Sequence, residues 1–117
     1  MGFYATWMGA WEAKDLDGLL ALTTDDFVFE WHSSGKLMEK AAFKAMLENF
    51  IKADLPPAQK TRCVYENAEI CVSHQFSKFP NGSVDAVLTV QMLKDGKCYR
   101  METGSTSVPE DSPNFIK

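Results

Sequence analysis

Phe3, Trp7 and Trp11 recur every four residues with Tyr4 and Met8 beside them, a spacing that predicts a helix of about 12 residues carrying one wide apolar stripe. Lys14-Asp15-Leu16-Asp17 interrupts the stripe. Asp15 or Asp17 is placed to cap a second short helix through Leu19, Leu20 and Leu22 by accepting its free backbone N–H groups. Phe27 to His32 then alternates in a β-rich composition and predicts a strand, and Ser33-Ser34-Gly35-Lys36 supplies turn chemistry. Phe43, Met46, Leu47, Phe50 and Ile51 mark the core-facing side of a third helix, which Asp54-Leu55-Pro56-Pro57 ends. From Lys60 the period changes to two, with strands predicted near 60–67, 69–79, 83–93 and 97–107. Pro80-Asn81-Gly82 and Lys94-Asp95-Gly96 join the last three of these. Asn-Gly and Asp-Gly tolerate positive φ, so those three strands are expected to form an antiparallel meander.

The order helix-helix-strand-helix-strand-strand-strand-strand specifies an α+β fold. Three N-terminal helices are expected in the concave face of a strongly curved mixed or antiparallel sheet, a cystatin-like cone. Residues 1–108 make one domain and 109–117, with Pro109 and Pro113, a C-terminal tail. A sheet that covers three helices has to curve, and where side chains fail to fill the cone it encloses a pocket, mostly apolar with a few convergent polar groups.

Composition narrows the function. At 117 residues the chain has room for one core and no second domain. Its net charge of −4, with acidic residues scattered rather than massed, lacks the electrostatic footprint of a nucleic-acid binder. Cys63, Cys71 and Cys98 have no metal-ligand spacing and each sits in a strand-like run, so they read as small buried apolar residues of a reducing compartment. No metal and no cofactor are expected, since the two histidines lie far apart and no Gly-rich phosphate loop is present. No apolar run approaches the roughly 20 residues that span a bilayer, and the N-terminus lacks a signal-peptide pattern, so a cytoplasmic protein without membrane contact is expected. Gly2 with Thr6 formally fits a myristoylation pattern, but Phe3 and Tyr4 belong to the apolar face of the first helix.

Trp7 through Leu22 as a helical hairpin, Thr24-Asp25-Asp26-Phe27-Val28-Phe29 as the entry to the first strand, and Asp95-Gly96-Lys97 before the last strand resemble the nuclear-transport-factor-2-like superfamily over nearly the whole chain. Within it, the SnoaL-like cyclases and ketosteroid isomerases are the groups resembled. The resemblance implies the cone fold, a pocket and a homodimer. It does not carry over the isomerase chemistry: Trp7 stands where those isomerases place a tyrosine oxyanion donor, and Thr89 where they place a protonated aspartate. Their general-base aspartate is matched by His32 or Trp31, depending on the direction of counting.

His32 is the first candidate for acid/base work, because an imidazole exchanges a proton near neutrality. Asp85 shares strand parity with Val87, Thr89 and Gln91, the face the resemblance turns toward the pocket, and is the second catalytic candidate. Trp7, Tyr65, His74, Val87, Thr89, Tyr99, Met101 and Thr103 are expected to line the ligand site. Glu30 and Glu102 are expected to project outward as surface charge, and Cys63, Cys71, Ser73, Gln75 and Arg100 to lie on the outer, dimerising face. The expected function is a small-molecule pocket protein for an apolar or aromatic ligand, either a cofactor-free isomerase, cyclase or dehydratase, or a binder. A non-catalytic dimerisation module whose own aromatics fill the cone is the alternative.

Overall fold

A computed structural model describes residues 2–117. Helix α1 (Phe3–Glu12) and helix α2 (Leu16–Ala21) form the hairpin, and the Gly18 N–H donates to the Asp15 carboxylate at 2.9 Å, so Asp15 rather than Asp17 is the cap. Strand β1 (Thr23–Trp31), short strand β2 (Leu37–Glu39) and helix α3 (Lys40–Ala53) follow. Four strands complete the chain: β3 (Gln59–Glu66), β4 (Ile70–Lys78), β5 (Val84–Lys94) and β6 (Lys97–Ser107). Asp54 caps α3 in the left-handed region at φ 49°, which turns the chain into Pro56-Pro57.

The six strands form one curved sheet in the order β2-β1-β6-β5-β4-β3. Every neighbouring pair is antiparallel except β1 and β6, which run parallel. The meander of the last strands is present, and Asp95 and Gly96 carry the positive φ its tight turn needs, 53° and 79°. Strand β2 is too short to show a period, and it extends the sheet beyond what the sequence pattern predicts. Residues beyond 108 fold back on the domain: Ile116 is buried, Lys60 donates to Asn114, and the Lys78 ammonium lies over the Phe115 ring.

The helices fill the concave side. Trp7, Leu19, Phe43 and Leu47 pack with Phe27, Phe29, Cys71, Leu93 and Cys98 in one buried cluster. Phe43 sits at its centre, its ring 4.7 Å from Phe27 and 5.5 Å from Phe29.

Candidate functional site: a cone with a neutral polar wall

Strand register places the chemistry. Trp31 of β1 lies beside Thr103 of β6, Thr103 beside Thr89 of β5, and Thr89 beside Ser73 of β4. Directly paired residues share a face, so this row crosses the concave surface as a ladder of three hydroxyls ending at an indole. The flanking rows add Gln91 beside Met101 and Gln75 beside Val87. Opposite stand the aromatic and thioether side chains of the helices: Trp7, Met8 and Trp11 from α1, and Phe43, Met46 and Phe50 from α3.

Between the two walls lies a cavity of about 140 Å³, to whose lining Leu55, Pro56, Ala58 and Phe79 also contribute. It shares Met8, Trp11, Phe50 and the 55–58 loop with an adjoining cleft of about 500 Å³ between α1 and α3. Trp7, Val87, Thr89, Met101 and Thr103 all line the cavity. Thr103 is 6% exposed, and its Oγ1 is a buried side-chain polar atom without a hydrogen-bond partner among the described residues. A buried hydroxyl left unpaired costs about 1–3 kcal/mol, so its position facing a cavity asks for a partner.

Several predicted site residues lie elsewhere. Strand β4 is turned opposite to the expectation: Ser73, Gln75 and Ser77 line the cavity, Cys71 is fully buried, and His74 projects from the convex face with Val72 and Phe76. The expectation followed the apolar positions Ile70, Val72 and Phe76 inward, and here they point outward. Tyr65 pairs with Val72 on that same outer face and is 58% exposed. Tyr99 is the extra residue of a bulge, because Met92 pairs with Arg100 while Leu93 pairs with Cys98, and it is 40% exposed. Asp85 keeps its predicted parity but lines a shallow outer groove with Lys36, Asn49 and Asn81 rather than the cavity.

His32 follows Trp31 and therefore points to the convex side, its side chain 46% exposed. There it ends a chain of charges. His32 Nε2 lies 2.7 Å from Glu102, Glu102 accepts from Arg100 at 2.7 Å, and Arg100 reaches Glu30. The Arg100 guanidinium, and then His32, hold the Glu102 carboxyl below the usual carboxylate range. Glu102 in turn, with Glu30, raises Arg100 further. Glu30 and Glu102 do project outward, as a mutually satisfied network rather than as isolated surface charge. The cavity itself is lined by no aspartate, glutamate or histidine among the described residues. Lys78 is the one charged lining residue among those described, with its ammonium 6.0 Å from the Phe115 ring centre.

Ser73, Gln75 and Gln91 are cavity residues that sequence reasoning left out of the site. The signal for them was the polar half of the β4 and β5 alternation, which is informative only once the direction of each strand is known. No helix of the described residues is long and apolar enough to cross a membrane.

The profile of the SnoaL-like domain matches residues 4–101. Among solved structures, an NTF-2-like protein of unknown function from Burkholderia xenovorans superposes with a TM-score of 0.75 at 13% identity, covering 95% of this chain and 85% of that one. A candidate ketosteroid isomerase from Kribbella flavida gives a TM-score of 0.71 at 10% identity, covering 95% and 80%. IdmH, a candidate polyketide cyclase from Streptomyces antibioticus, gives 0.67 at 17% identity and covers 88% of each chain. These likenesses establish the cone fold. No curated protein matches the sequence.

Proposed function

The chain belongs to the SnoaL-like domain family, and from that premise we propose that it is a small-molecule-binding protein that holds one flat, largely apolar ligand in the cone. The unpartnered Thr103 hydroxyl facing the cavity is the observation that carries this reading. A cavity of this size suits a single-ring compound, since an apolar cavity of roughly 150 Å³ accommodates benzene. The aromatic wall supplies stacking area, and the Thr103-Thr89-Ser73 ladder supplies hydroxyls that donate or accept. Gln75 and Gln91 extend that choice. A neutral ligand with one hydroxyl or carbonyl on an aromatic ring fits both walls.

Binding is favoured over proton-transfer catalysis because the two acid/base candidates, His32 and Asp85, do not line the cavity. His32 is tied to Glu102 on the other side of the sheet, and Asp85 sits in the outer groove. An isomerase, cyclase or dehydratase of the acid/base kind needs a general base within hydrogen-bond reach of the ligand.

The test is a thermal-shift series with phenol, indole and benzamide, repeated on Thr103→Val. A saturable rise in Tm that weakens in the variant supports the site. No shift with any ring compound overturns it.

We propose in addition that the convex face associates. Strands β4 and β5 turn Val72, Phe76, Leu88 and Val90 outward beside Tyr65, with Leu88 45% exposed. A second copy of the chain is the proposed cover for this face, because apolar residues over two adjacent strands form a continuous patch rather than scattered exposures. Sedimentation equilibrium is expected to give a dimer, and Leu88→Asp a monomer. A monomeric parent protein would contradict the assignment.

A further inference from the structure

Away from the cavity, strands β3 and β4 bring Cys63, Glu66 and Cys71 together. One atom from each, two thiol sulfurs and a carboxylate oxygen, lie within 4.8 Å of one another. We propose that these three side chains form a site for a thiophilic divalent cation such as Zn²⁺ or Cd²⁺.

The register explains how the cluster arises. Cys63 pairs with Ser73 and Glu66 pairs with Cys71, so three steps along β3 match two steps along β4. Without an extra residue, positions 63 and 66 would fall on opposite faces of the strand. The bulge between Cys63 and Tyr65 absorbs one residue and turns both side chains to the face that carries Cys71. The spacing Cys-x-x-Glu-x-x-x-x-Cys is unremarkable in sequence and becomes a ligand set only through that bulge.

The donor chemistry fits a soft cation. Two sulfurs and one carboxylate leave a fourth tetrahedral position for water, a ligand number seen in open zinc sites. Zn–S bonds of about 2.3 Å in a tetrahedron separate the sulfurs by a little under 4 Å, so the cluster closes with small side-chain rotations. Exposed Cys63 supplies the entry path and buried Cys71 the anchor.

Glu66 is already oriented. Its Oε2 accepts the Tyr4 N–H at 3.0 Å and thereby caps α1, whose own N-cap residue Gly2 has no side chain to do so. A carboxylate has acceptor sites to spare for a metal, and an N–H held on its other lone pairs is the usual way a ligand is fixed. Burial pushes the Cys71 thiol up to about 12, so without a cation it remains a neutral core side chain. A bound metal is what displaces that proton.

The experiment is titration of the reduced, chelator-stripped full chain with Cd²⁺, read by the ultraviolet thiolate-to-metal charge-transfer band, and competition of Zn²⁺ against a chromophoric chelator. Wild type is expected to bind one ion per chain with release of protons to a weakly buffered solution. Cys63→Ser, at an exposed position the fold does not depend on, is expected to weaken binding by at least about a hundredfold, beyond the range produced by loss of a second-sphere partner. Glu66→Gln keeps an acceptor for Tyr4 and separates ligation from capping, and it should also weaken binding. Absence of one-to-one binding, or binding of equal strength in Cys63→Ser, overturns the site.

Discussion

The two faces of one sheet do opposite work. The concave face carries Ser73, Gln75, Thr89, Gln91 and Thr103 against a wall of helix aromatics, with no carboxylate or imidazole among the described residues that line the cavity. The convex face carries the ionisable chain Glu30, Arg100, Glu102 and His32, together with the outward apolar residues of β4 and β5. In an ordinary half-buried strand the apolar residues point to the core and the polar ones to water. Strands β4 and β5 invert that rule. The inversion leaves neutral hydroxyl and amide groups along the cavity wall and an apolar patch on the convex side.

The largest effect is expected where the concave wall meets the core. Phe43→Ala removes the ring that contacts Phe27 and Phe29 and should cost about 3–5 kcal/mol, measurable as a lower urea midpoint. A loss below 1 kcal/mol would mean that the aromatic wall is not what closes the cone. Leu88→Asp tests the outer face alone: it should break the dimer while leaving ring-compound binding in place. Loss of both together would mean that the two faces are not separable.

The smallest effect belongs to the charge network. The Glu102 pKa is lowered in the folded state, so the stabilisation is present above the unfolded carboxyl value of about 4.3 and is lost as pH falls through the lower folded value. The gain in wild type over Glu102→Gln should therefore be present at pH 6 and shrink as the pH falls below the ordinary carboxyl value of about 4.3. Exposed on one side to solvent, the network should contribute no more than about 1 kcal/mol. A difference that persists unchanged at low pH would place the effect in packing rather than charge.

Most of the fold was legible in the sequence. The four-residue aromatic spacing marked α1, the pair Asp15 and Asp17 marked the start of α2, and the Asn-Gly and Asp-Gly pairs marked the meander, because each is a local signal with a local cause. The site was legible in part. Parity along β5 and β6 placed Val87, Thr89, Met101 and Thr103 on the inner face, whereas β4 misled, since its apolar residues face outward. His32 was one residue from the cavity: Trp31 lines it and the next side chain necessarily points away. Bulges were the other obstacle. They put Tyr99 outside and gathered Cys63 with Glu66, and both depend on pairing between distant segments that no single strand reveals.

Recognition is proposed to lie on the concave face at Thr103 and not at the convex His32. Calorimetric titration of phenol into wild type, Thr103→Val and His32→Ala tests it directly. Removing the hydroxyl should weaken binding by about tenfold, the equivalent of one hydrogen bond of about 1.4 kcal/mol, without loss of fold stability. His32→Ala should bind as the wild type does. Unchanged affinity in Thr103→Val together with lost affinity in His32→Ala would contradict the account and move the site to the other side of the sheet.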